Sequence, residues 1–168
     1  DVEFLTDNFI VKNTVTVLHS KPGVGKSSLI VAMIRDYLKN NKVKKVIYFD
    51  GDNPLSVIKD RILRLKKEFG DKILYYSNST AGIDIMKKEM ERLCRFKGQG
   101  EDVLVIKDTL GKFIDGSVKN DSDVAPMLKI VCELRDSFGC TGFLVHHSNK
   151  ATDDDGNGVF QGSQKIKA

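Results

Sequence analysis

No stretch of the 168 residues approaches the roughly 20 consecutive apolar side chains needed to span a bilayer, so no membrane helix is expected. The first residues, DVEFLTDNF, are acidic rather than basic and show no signal-peptide pattern, which points to a cytoplasmic protein. Cysteine is sparse. Cys94, Cys132 and Cys140 are odd in number and form no CxxC pair, so reduced, mostly buried thiols are expected. Three histidines leave little scope for a histidine-built metal site. Arginine is the scarce cation: six residues against 21 lysines, with none after Arg135. The resulting net charge of +4 is too mild to mark a nucleic-acid binder by itself.

What is present is ordinary for a soluble globular fold, with 40% hydrophobic and 30% charged residues. The length suits one domain over residues 1–168. Short β-rich runs are predicted as strands at 15–18, 45–49, 73–76, 103–106 and 142–146. Between them, three-to-four apolar spacing predicts helices at 27–40, 55–69, 83–97 and 123–138. Asp121, Ser122 or Asp123 is expected to cap the last of these. Alternating strands and helices imply an α/β fold with a mainly parallel sheet covered on both faces. The loops 111–122 and 149–164 follow strands at their carboxyl ends, where ligands of open α/β sheets sit. The chain ends at Ala168 with no closing strand or helix, so it reads as an excerpt of a longer protein.

The most specific chemistry lies in Ser20-Lys21-Pro22-Gly23-Val24-Gly25-Lys26-Ser27-Ser28, between a predicted strand and a predicted helix. That is the context of a phosphate-binding loop. Gly23 and Gly25 allow the backbone to turn so that successive N–H groups face one phosphate, and the helix adds its positive end. Lys26 is expected to reach the β- and γ-phosphates and Ser27 to bind Mg²⁺. A nucleoside triphosphate is the implied ligand.

Strand alternation puts Leu104, Ile106 and Asp108 on one face and Val103, Val105 and Lys107 on the other. An acid ending a buried strand is the expected Mg²⁺ partner of the loop. Lys107 is unusual in such a strand and is expected either to snorkel from the sheet end or to pair with an acid. Asp50-Gly51-Asp52-Asn53-Pro54 follows another strand. Its carboxylates suit orientation of an attacking water, with Asp52 favoured, although Asp-Gly and Asn-Pro also read as a plain turn. His146 and His147 end the last strand, where only one can face a nucleotide; His147 is favoured as a γ-phosphate contact, and a structural histidine pair is the alternative.

The order HSKPGVGKSS, VIYFDGDNP, VLVIKDTLGKF, FLVHHSNK and QGSQKI resembles the RecA-like ATPase core of hexameric replicative helicases. Plasmid RepA helicases and their phage and mobile-element relatives are the nearest type, and the similarity spans about residues 8–166. It implies ATP and Mg²⁺ as cofactors, with phosphate binding by Gly23, Gly25, Lys26 and Ser27 and Mg²⁺ coordination by Ser27 and Asp108. Asp52 takes the place of the catalytic glutamate and His147 that of the γ-phosphate sensor. Single-stranded DNA would meet Lys150, Lys165 and Lys167 on one loop, and Lys112 and Lys119 on the other. A homohexameric ring driving DNA unwinding or translocation is the implied assembly, and a recombination or regulatory ATPase on the same core is the alternative.

Two departures stand out. Aspartate at position 52 is one methylene shorter than glutamate. The family's arginine finger lies beyond this stretch, and such a finger is worth roughly 10³–10⁵ in rate. The isolated 168 residues are therefore expected to turn over ATP far below ~1 s⁻¹, which a phosphate-release assay checks. A GTPase reading fits worse. Asp108-Thr109-Leu110-Gly111 matches DxxG, but Asp153 follows Asn149 by four residues where a guanine clamp needs three.

Overall fold

The computed structural model describes residues 2–6, 9–51, 53–77, 85, 88, 91–92, 100–109 and 121–147. Its elements are β1 (Phe4–Thr6), β2 (Ile10–Val11), β3 (Val15–Ser20), α1 (Lys26–Lys39), β4 (Lys45–Asp50), α2 (Leu55–Phe69), a 3₁₀ turn (Gly70–Lys72), β5 (Ile73–Ser77), β6 (Val103–Asp108), α3 (Asp121–Phe138) and β7 (Thr141–His147). β3, β7, β6, β4 and β5 form, in that order, one parallel sheet. β1 and β2 form a small antiparallel pair. Each predicted strand is present and most run one or two residues further; β6 continues through Lys107 to Asp108. Residues 85, 88, 91 and 92 are helical within the predicted 83–97 helix, and the remainder of that segment lies outside the described residues. α3 begins at Asp121, so Ser122 and Asp123 sit inside its first turn rather than before it.

Strand alternation sorts the core into two layers. Val46, Tyr48, Leu104, Ile106, Phe143 and Val145 pack against Ile30, Ile34 and Leu38 of α1 and Ile62 and Leu65 of α2. Ile47, Phe49, Val103, Val105 and Leu144 pack instead against Val131 and Leu134 of α3. The predicted assignment of the 103–108 side chains to opposite faces holds. Burying each large side chain stabilises the fold by about 1.5–3 kcal/mol, and Tyr48, Phe49 and Phe143 are all fully buried. The β1–β2 pair adds Leu5 and Ile10 to the α1 layer, and Thr6 hydrogen-bonds the Tyr37 hydroxyl.

Of the two outcomes expected for Lys107 from its strand position, snorkelling does not occur. The residue is fully buried, with its ammonium 5.9 Å from the centre of the Phe49 ring. Leu144 pairs with it on β7 and Phe49 on β4, so the side chain has no route past the sheet edge. Burial pushes its pKa down to about 8. Between about pH 8 and 10.5 the folded chain releases this proton while the unfolded chain keeps it. Stability therefore rises with pH across that window and is flat below it. Denaturant unfolding of the wild type and Lys107→Met at pH 7 and 10 is expected to show their stability difference shift in favour of the wild type by up to about 3 kcal/mol. A difference independent of pH would contradict this.

Candidate nucleotide site

The loop between β3 and α1 has the backbone its glycines allow. Gly23 (φ 81°) and Gly25 (φ 89°) both lie in the left-handed region, which is costly for residues with a Cβ. Added Cβ atoms would meet nothing within 4 Å at either position. Backbone conformation, not crowding, is what demands glycine here. Gly25 caps α1 without a side-chain hydrogen bond, and the first turn carries no acid. A helix start capped in this way suits an anion.

Lys26 is 7% exposed and its ammonium donates across the loop to the carbonyls of Lys21 (2.7 Å) and Ser20 (3.4 Å). The charge is thereby held over the loop. One residue on, the Ser27 hydroxyl donates to Asp108 Oδ2 at 3.2 Å, joining α1 to the carboxyl end of β6. Asp108 also accepts from the Tyr48 hydroxyl at 3.1 Å and from Thr109 at 3.3 Å. Hydroxyl and carboxylate oxygens at this separation match the hard oxygen donors that Mg²⁺ takes alongside substrate phosphates. The donor set fits magnesium.

A second acid stands beside the first. Asp50 is paired in register with Asp108 and is fully buried. Its carboxylate accepts from the Tyr75 hydroxyl (3.1 Å), the Asn53 backbone N–H (3.0 Å) and the Asn53 side-chain amide (3.1 and 3.3 Å). That amide nitrogen also donates to Ser27 Oγ at 3.1 Å. Asp50 therefore acts as a post that aims Asn53 at the serine. Burial first, then the Asp108 and Asp50 carboxylates, pushes the Tyr48 phenol far up; burial and Asp50 do the same to Tyr75. Both phenols stay protonated donors. Their rings meet edge to face at 5.4 Å.

Tyr48→Phe keeps the ring and removes only the donor to Asp108. A hydrogen bond to a charged group contributes about 1.5–3 kcal/mol, so unfolding free energy is expected to fall by that amount. A loss under ~0.5 kcal/mol would show that the phenol does not restrain the carboxylate.

Of the other residues singled out from the sequence, Ser20 ends β3 and pairs in register with His147 of β7. His146 is buried and stacks on its register partner His19, with ring centres 5.6 Å apart. That stack is between His146 and His19, not between the adjacent His146 and His147. Lys21, Pro22 and Val24 are exposed on the loop and Ser28 on the first turn of α1. Asp52, the His147 side chain, Lys112, Lys119, Lys150, Lys165 and Lys167 lie outside the described residues. Tyr48, Asn53 and Tyr75 were not anticipated. Alternation along Val46, Tyr48 and Asp50 was the available signal for Tyr48, whereas Asn53 and Tyr75 reach the site through tertiary contacts.

A DNA repair and recombination protein RadB from Methanococcus maripaludis is 32% identical over 73 residues, which is 44% of this chain and 32% of the relative. The structure of a DnaB-like replicative helicase, determined with its interactions with primase, superposes with a TM-score of 0.63 over 89% of this chain and 46% of that one. At 10% identity that likeness concerns the fold. The chain spans about a third of the first protein's length and about half of the second's. No helix among the described residues is long and apolar enough to cross a membrane. The superposed fold is the RecA-like P-loop one, and residues 2–153 match the family described as AAA domain, to which the chain belongs.

Proposed function

We propose that the chain is the motor core of a ring-forming replicative helicase, hydrolysing magnesium ATP to unwind or move along DNA. The Ser27–Asp108 contact at 3.2 Å supports this best, because it joins the phosphate loop to an acid across the carboxyl end of the sheet. Lys26 and the first amides of α1 grip the β- and γ-phosphates, and Ser27 and Asp108 hold the magnesium. When bound, the metal neutralises charge building on the phosphate oxygens. Asn53 fixes the Ser27 hydroxyl, and Tyr48 fixes the Asp108 carboxylate. Asp52 orients the water for in-line attack, and His147 contacts the γ-phosphate. Lys112, Lys119, Lys150 and Lys165 contact single-stranded DNA, and the working assembly is a hexamer.

The local match to a recombination protein favours a second reading, a recombination ATPase on the same core. A forked-duplex assay with the full-length protein separates the two. Strand separation that requires ATP supports the helicase; pairing of complementary single strands without separation supports the recombination enzyme. ATP turnover unaffected by single-stranded DNA would contradict both.

A further inference from the structure

Between α1 and α2 lies a groove of about 190 Å³ lined by Ser28, Val31, Arg35, Arg61 and Arg64. Three of the six arginines meet there, in a sequence where lysine outnumbers arginine 21 to six. All three are exposed. Surface solubility needs only cations, and lysine is the commoner one in this chain. Arginine's planar fork instead matches phosphate oxygens two at a time. Arg35 Nε donates to Glu68 at 3.0 Å, but the two side chains are 47% and 40% exposed, so the pair is well solvated and readily exchanged for another anion. Nor does the charge stop at the groove. α2 carries Lys59, Arg61, Arg64, Lys66 and Lys67 against Asp60 and Glu68, an excess of three in a chain whose whole excess is four. Its 15 residues extend about 22 Å, several phosphates of a nucleic-acid strand. That excess puts a positive field around the groove, which suits a polyanion better than a single small ion.

We propose that the α1–α2 face binds the sugar–phosphate backbone of single-stranded nucleic acid without reading its sequence, with the Arg35–Arg61–Arg64 groove taking one phosphate. The inference rests on the DNA-acting function proposed above and adds a surface separate from the loop lysines named there. Fluorescence anisotropy of labelled oligothymidylate with the full-length protein tests it across a salt series. Replacing all three arginines with glutamine is expected to weaken binding about tenfold at low salt and to flatten the log–log salt slope by about 0.7, the value for one phosphate contact on a single strand. Arg64→Gln alone is expected to weaken binding and flatten the slope in the same direction but by less, should the triple variant fold poorly. Magnesium-ATP protection in a thermal shift is expected to be unchanged in both.

Affinity and slope equal to the wild type in these variants would overturn the groove. If the loop variant with Lys112, Lys119, Lys150 and Lys165 changed to alanine then lost binding, the helicase reading would survive without it. Absence of oligonucleotide binding by the wild type would overturn both. Displacement of the oligonucleotide by polyglutamate at matched ionic strength would assign the groove to an acidic protein segment, and displacement by pyrophosphate to a small phosphate ligand. Either result would overturn the nucleic-acid assignment.

Discussion

Lys26→Ala is expected to reduce DNA-stimulated ATP turnover by about 10³-fold or more while leaving the fold intact. The ammonium is held over the phosphate loop by two backbone carbonyls at 2.7 and 3.4 Å. It is 7% exposed, so little water screens it from a bound γ-phosphate. A preorganised donor aimed at charge that develops in the transition state is worth roughly 10²–10³ in rate, and a full positive charge exceeds a neutral donor. The carbonyls of Ser20 and Lys21 are themselves part of an exposed loop and can take up water when the lysine is removed. Steady-state phosphate release, measured beside a thermal melt, checks this. A rate within tenfold of the wild type at an unchanged melting temperature would show that the loop does not grip the reacting phosphate.

Asp108→Asn is expected to lower turnover by about 100-fold, roughly 3 kcal/mol of lost charge stabilisation. Asparagine keeps the size of the side chain and one acceptor oxygen, so the Tyr48, Ser27 or Thr109 hydroxyl retains a partner. What disappears is the negative charge facing Ser27. The effect is therefore expected to be selective: nucleotide affinity with magnesium falls towards the value measured with a chelator, while affinity without metal hardly changes. An equal loss with and without magnesium would assign Asp108 a purely structural part. The neighbouring Asp50 predicts the opposite pattern. It is saturated by Tyr75 and Asn53 and fully buried, so Asp50→Asn is expected to lower stability by about 1–3 kcal/mol, with its effect on metal dependence secondary.

Much of this arrangement is legible in the sequence. The phosphate loop is a local signal, because Gly23 and Gly25 must adopt positive φ whatever surrounds them. Asp108 was legible through period-two alternation, since Leu104 and Ile106 share its face and fall in the α1–α2 layer. Other features are non-local. Strands as short as β1 and β2 owe their existence to packing of Leu5 and Ile10 on the core rather than to propensity. The His19–His146 stack depends on β3 pairing with β7, strands more than 100 residues apart in sequence. Asn53 sits in a turn-like Asn-Pro sequence that hides its contact with Ser27. Lys107 is the instructive conflict: charge argued for the surface, alternation argued for the α3 layer, and the sheet's central position decided for burial.

The decisive measurement is isothermal titration calorimetry of the protein with magnesium ATP, alongside Lys26→Ala and Asp108→Asn. Saturable heat in the wild type, loss of it in the first variant, and loss of only its magnesium-dependent part in the second are predicted. No heat with the folded wild-type protein, or identical isotherms for all three, would contradict the view that this cleft holds a metal-bound triphosphate.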